Sequence, residues 1–379
     1  MQQLPKSLQD KLENRSKNGL LRELPTSSSL IDFASNDYLG LSKNKAVFTA
    51  ASELLVSANT IANGATGSRL ISGNHTLYTE AEDYIAQFHA AKSALLFNSG
   101  YDANVGFFSC VPQKSDVVLY DELIHASIRD GIRLSNASAY KFEHNNVTAL
   151  KLLLERHTNK AAEVYIATES VFSMDGDTPD LIAIAKLAKN YNCKLVIDEA
   201  HALGVFGTKG EGLVQQLGIA GAVFARIVTF GKGLGCHGAA ILGAKELRSY
   251  LVNFARSFIY TTGLPPHSVA TILCAYKQME SDNNNWEQLR ANINHFITTA
   301  KTLGLHQFIV SKSAIHCAVI PTNIKVKSIA QHLQKEGYNV KPIMSPTVAE
   351  GSERLRFCLR STVTFTEIEG VLHCLKAAL

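Results

Sequence analysis

Nowhere in the 379-residue sequence does an uninterrupted apolar run approach the roughly 20 residues needed to cross a bilayer. The opening stretch, MQQLPKSLQDKLENRSKNGLL, alternates polar and apolar residues at helical spacing and lacks the apolar core of a signal peptide. Basic residues are scattered, and a net charge of +4 with no dense Lys/Arg block argues against a nucleic-acid partner. The seven cysteines are odd in number and never close enough to form C-x-x-C, which points to a reducing compartment. A cytoplasmic enzyme or binding protein is therefore expected. The thirteen histidines never pair as H-x-x-x-H, so no metal site is expected either. Internal repeats and low-complexity tracts are also missing.

What is present is a hydrophobic content of 46% against 18% charged, enough to bury a substantial core in one large domain and a smaller one. After the polar N-terminal helix and the turn-rich LIDFASNDYLGLS, short apolar runs alternate with amphipathic stretches of helix length. The runs are SALLF (93–97), DVVLY (116–120), SAYKF (138–142), EVYIATE (163–169), KLVIDEA (194–200), RIVTF (226–230) and AAILG (239–243). Continuous apolar strands spaced in this way predict an α/β domain: a mostly parallel, seven-stranded sheet covered by helices on both faces. Ligands of such sheets bind beyond the carboxyl ends of the strands. Five strand ends carry polar or ionisable groups: residues 98–101, 121–125, 169–173, 198–201 and 229–232. GLPPHS (263–268) suits a domain crossing, and the last third reads as a small α+β domain. The expected division is an N-terminal segment to residue 40, a large domain over 41–262 and a small one over 263–379.

Gly233 to Gly238 spell G-x-G-x-x-G, but the glycines lead into another strand, and no carboxylate follows at ribose distance. VIDEAH (196–201) resembles the acidic strand end of a nucleotide hydrolase. The only Gly-Lys pair is followed by glycine, however, and Arg226 stands where the first glycine of a phosphate loop belongs. An aldehyde cofactor remains. Lys232, between two glycines at a strand end, is placed to form a Schiff base. Asp198, at a neighbouring end, can pair with a pyridine nitrogen; His201 can reach the ring oxygen, and Gly100-Tyr101 can offer amides to a phosphate. Each has a plainer reading when taken alone: a solvated lysine, a helix N-cap, a core histidine, a turn. Together on successive strand ends they point to pyridoxal 5'-phosphate.

The motifs SNDYLGLS, GSRLISGNH, LFNSGYDAN, HAS, TESVFSMDGDTPDL, IDEAHALGVFG, TFGKG, IYTTGLPP and RLRF run in one order over nearly the whole chain. In this the chain resembles the α-oxoamine synthases, pyridoxal-phosphate transferases of fold type I. The resemblance implies that Lys232 bonds the cofactor, Asp198 pairs with its ring nitrogen, and His201 and Ser173 touch the ring oxygen. It implies that His125 stacks on the ring, and that Gly100, Tyr101 and Thr229 hold the phosphate, with Thr261 or Thr262 reaching that of a neighbouring subunit in a homodimer with shared sites. Arg356 would bind the amino-acid carboxylate, with Thr347 and Arg22 near the acyl substrate; Asn36 and Glu169 also match active-site positions. SGNH before an acidic helix further implies the member that joins L-alanine to a pimeloyl thioester, on coenzyme A or acyl carrier protein, in biotin biosynthesis. Relatives using glycine, serine or another acyl donor, an autoinducer synthase among them, are the alternatives; a non-catalytic binding protein is a third. After the lysine, Cys236-His237 departs from the family's pattern and would put a bulkier side chain toward the acyl channel. HNN at 144–146 replaces the commoner HND.

Overall fold

The computed structural model describes residues 4–24 and 29–379. Its centre is a seven-stranded sheet: β1 (Ser93–Phe97), β2 (Val117–Asp121), β3 (Ser138–Phe142), β4 (Val164–Glu169), β5 (Lys194–Asp198), β6 (Val223–Thr229) and β7 (Ala239–Gly243). The strands lie in the order β1-β7-β6-β5-β4-β2-β3, and only β7 runs against its neighbours. The carboxyl ends of the other six strands therefore share one edge, and the turn from β6 into β7 lies on that edge too.

Successive side chains of a strand point to opposite faces, and the sheet's apolar residues divide accordingly into two cores. Leu96, Leu119, Ile166, Ile197 and Val228 join one; Leu95, Val118, Ala167, Val196 and Ile227 join the other. Helices cover both faces, which is why the strands read as continuous apolar runs. SAYKF is the exception. It forms the edge strand β3, where Phe142 alone is buried.

Beyond the sheet lies GLPPHS, where the change of domain is expected at 262/263. Pro265 and Pro266 occupy the N-cap and first position of the helix Pro266–Ser281, where a missing N–H costs nothing. That helix packs on Lys45–Ser57 and Thr76–Phe88 of the large domain. The small domain's own sheet, β8 (Ile315–Val319), β9 (Lys341–Ile343) and β10 (Arg354–Cys358), is antiparallel in the order β9-β10-β8. The segment after residue 29 joins it: Ile31–Asp32 pairs with Tyr338–Asn339, and Phe33 and Tyr38 accept from Cys358 and Ser361 through their carbonyls. Tyr38 and Asn36 are thereby carried to the strand ends of the large sheet.

Candidate active site

The turn joining β6 to β7 holds Lys232. Phe230 and Gly238 close it by a backbone hydrogen bond, as do Cys236 with Phe230 and Gly235 with Lys232. Its glycines answer to sterics. A Cβ on Gly233 would lie 2.3 Å from the Leu203 carbonyl oxygen, and one on Gly235, whose φ is +61°, would lie 2.2 Å from the Ser42 nitrogen. The G-x-G spacing thus lets the turn pass between two other segments.

Lys232 Nζ stands 2.7 Å from His201 Nε2, and His201 Nδ1 stands 2.6 Å from the Tyr38 hydroxyl. Tyr38 in turn donates to Asn36 Oδ1 (3.3 Å), which also accepts from Arg356 Nη2 (3.0 Å). Burial, and then the charges of Lys232 and Arg356, push the His201 pKa well below the usual histidine range, so its ring is neutral. A lysine ammonium can only donate. While Lys232 is charged, Nε2 accepts, Nδ1 carries the proton and donates to Tyr38, and Tyr38 donates onward to Asn36. The donations from the amine side and from the guanidinium thus meet at Asn36 Oδ1.

Arg356 is held by three of its five N–H groups: Nε donates to the Ser173 carbonyl (2.7 Å), Nη1 to Cys358 Sγ (2.9 Å) and Nη2 to Asn36. One N–H remains on each terminal nitrogen, a pair suited to a carboxylate.

Asp198, buried at the end of β5, accepts from Asn104 Nδ2 (2.8 Å) and from the Ala200 amide (2.8 Å). Asn104 also donates to Ser127 Oγ, which lies 2.7 Å from His125 Nδ1. His125 caps the helix Ala126–Leu134, and its backbone N–H donates to Glu169 (2.6 Å). Burial and the neighbouring charge of Asp198 raise the Glu169 pKa well above the usual carboxylate range. Lys232 moves the other way. Desolvation outweighs the attraction of Asp198 and Glu169 and pushes its pKa down to about 8. His125, although exposed at the rim, is also held below its ordinary value, desolvation outweighing Asp198.

Gly100 opens the helix Gly100–Cys110, whose N-cap Ser99 accepts from the Asp102 amide. A Cβ at Gly100 would lie 2.5 Å from Thr229 Oγ1, so glycine keeps that hydroxyl clear beside the helix N-terminus. The donor set has the chemistry of an anion cradle. With the buried Asp198 carboxylate and the Lys232 amine, these residues fit pyridoxal phosphate.

Other expected residues stand further out. Tyr101 is half exposed, and its hydroxyl donates to Asp130. Asn98 holds the Thr261 hydroxyl and the Thr262 carbonyl. Thr347 is exposed and lines a cavity between the large domain and the 345–352 loop, and Arg22 stands in an exposed segment. His237 is exposed and does not line that cavity, while Cys236 donates to the Leu234 carbonyl and burial pushes its thiol up to about 12. Tyr38, Asn104 and Ser127 complete the site although sequence reasoning singled out none of them. All three do lie inside the quoted motifs, as the tyrosine of SNDYLGLS, the last residue of LFNSGYDAN and the last residue of HAS.

Known proteins resemble this chain over nearly its whole length. The 8-amino-7-oxononanoate synthase of Emericella nidulans is 40% identical over 97% of this chain and 95% of its own. A crystal structure of 8-amino-7-oxononanoate synthase from Francisella tularensis superposes with a TM-score of 0.78 at 30% identity, covering 93% of this chain and 98% of that one. Serine palmitoyltransferase from S. paucimobilis, solved with bound PLP, gives a TM-score of 0.89 at 25% identity over 98% and 96%. The model of aminotransferase class I and II matches residues 28–375, and to that family the chain belongs.

Proposed function

We propose that this chain is an 8-amino-7-oxononanoate synthase, which condenses L-alanine with a pimeloyl thioester of coenzyme A or acyl carrier protein and releases carbon dioxide, in biotin biosynthesis. The observation that carries the reading is the half-buried Lys232 amine, pushed down to about 8 and joined through His201, Tyr38 and Asn36 to Arg356. The near full-length likeness to synthases of that name supports it. We assign Lys232, Asp198, His201, His125, Ser173, Gly100, Tyr101, Thr229 and Thr262 to the cofactor, and Arg356, Asn36, Thr347 and Arg22 to the substrates, in a homodimer.

Pyridoxal phosphate, when bound through Lys232 and Asp198, supplies an electron sink for a carbanion at the α-carbon of the amino acid. The free N–H pair of Arg356 holds the alanine carboxylate. Lys232 Nζ, neutral in a substantial fraction near pH 8, takes the α-proton and returns one after carbon dioxide leaves. His125 covers the rim of the site. Asn104 and the Ala200 amide hold the Asp198 carboxylate in place to face the ring nitrogen.

A panel of amino acids crossed with acyl thioesters tests this. Alanine with pimeloyl-CoA should release carbon dioxide and 8-amino-7-oxononanoate faster than glycine or serine with any donor. Equal or better use of glycine would reassign the chain to another condensation.

A further inference from the structure

A cavity of about 460 Å³ opens between the loop after β2, the segment around Ser173 and the 345–352 loop. It adjoins the site on two sides. Phe172 and Met174 line it and flank Ser173, whose carbonyl holds Arg356. Leu123 and Arg129 line it and flank His125, and Arg129 lies four residues beyond His125, on the same face of that helix. Its apolar walls, Leu123, Phe172, Met174, Pro346 and Val348, match a methylene chain.

Its charges are not all paired. Arg354 is bound to Asp175 and to the Met174 carbonyl, and Glu122 is bound to Lys141 at 3.5 Å. Arg129 donates only through Nε, to the Ile124 carbonyl (3.1 Å). Among the described residues, no carboxylate pairs with its terminal nitrogens. That single bond fixes the plane of the guanidinium and leaves its outer fork free, the geometry that recognises a carboxylate by two parallel hydrogen bonds.

The geometry points to Arg129 as the residue that selects an acyl donor by a carboxylate at the far end of its chain. A dicarboxylic acyl thioester lays its methylenes along the apolar walls and its terminal carboxylate on the Arg129 fork. A monocarboxylic donor of equal length leaves that fork to water. The assignment rests on the condensation proposed above and names the feature of the donor that the site reads.

The test compares pimeloyl-CoA with heptanoyl-CoA, the chain of equal length without the carboxylate, on holoenzyme. Wild type, R129M and R129K are measured by kcat/KM and by calorimetric binding in the absence of amino acid. Wild type should prefer pimeloyl-CoA, and R129M should lower the pimeloyl-to-heptanoyl ratio by about tenfold or more, the scale of a lost charge-assisted hydrogen bond, in both measurements. R129K, which keeps the charge without the fork, should retain part of the preference. A ratio unchanged in R129M, or an equal fall for both donors, overturns the subsite. Wild type that binds pimeloyl-CoA through Arg129 without condensing it overturns the proposed reaction and leaves the subsite standing. Condensation of pimeloyl-CoA at a ratio indifferent to R129M does the reverse.

Discussion

Two polar clusters occupy the same edge of the large sheet, and they differ in how completely their charges are answered. Around His144, at the ends of β2 and β3, Nδ1 lies 2.9 Å from Asp121 and Nε2 lies 2.9 Å from Asp177, with Asn145 bonded to both carboxylates. Burial alone would lower the His144 pKa; the two carboxylates outweigh it and raise it to about 10. Around Lys232, at the ends of β4, β5 and β6, Lys232, His201 and Glu169 are each pushed toward the neutral form. The closed cluster braces the segment 170–177, which also meets Arg354 and Arg356 of the small domain. The open one gathers ionisable groups around Lys232 and leaves one N–H on each terminal nitrogen of Arg356 without a partner among the described residues. Burial of polar groups thus stabilises the fold where a cation is clasped between carboxylates, and suits chemistry where ionisable groups are held toward their neutral forms.

The comparison breaks if the two clusters respond alike to substitution. Lys232→Ala should abolish nearly all turnover, a loss on the order of 10²–10⁴-fold from the proton transfer alone, yet leave the cofactor-free protein at least as stable. The sign follows from the shift. The lysine pKa falls on folding from 10.5 to about 8, so the folded chain binds fewer protons, and a cost present below that range is relieved as pH rises through it. A urea titration in which Lys232→Ala is markedly less stable at pH 7 would contradict this.

His144→Gln should do the opposite. The histidine pKa rises on folding from 6.5 to about 10, so its contribution is fully present below the unfolded value and is lost as pH climbs to about 10. The variant should be less stable by about 2–4 kcal/mol at pH 6 and approach wild type near pH 10, since breaking a buried pair leaves carboxylates uncompensated. A stability deficit independent of pH would mean that packing, rather than the charge, is what His144 supplies.

The contrast also bears on what could be read in the sequence. SALLF and AAILG coincide with β1 and β7 because strands buried on both faces leave uninterrupted apolar runs; SAYKF coincides with β3, yet nothing in it announces an edge. Lys232, Asp198 and His201 were legible because they sit where such strands end. Tyr38 was not, since its contact with His201 spans 163 positions and depends on how the segment from Ile31 docks on the small domain. RLRF offers two arginines on one face of β10. Only the tertiary structure gives Arg354 to Asp175 and leaves Arg356 N–H groups free. The proline pair admits two readings, because helix initiation and a domain crossing use the same residue.

The smallest expected effect tests the bond that joins the open cluster to the substrate arginine. Tyr38→Phe keeps the ring in its buried place but removes the oxygen that accepts from His201 Nδ1 and donates to Asn36. While Lys232 is an ammonium, Nδ1–H is left without an acceptor, at a cost of about 1–3 kcal/mol. The neutral amine escapes it, because the ring can then carry its proton on Nε2 and donate to Nζ. The variant should therefore favour deprotonation of Lys232 and, since the neutral amine is the base, shift the rising limb of its pH profile to lower pH. With its bond from Tyr38 gone, Asn36 should hold Arg356 less firmly, and KM for alanine should rise more than kcat falls. A pH profile of kcat/KM for alanine reads both. An unshifted profile would show that Tyr38 supports His201 by packing alone, and the hydrogen-bonded chain would then end at the histidine.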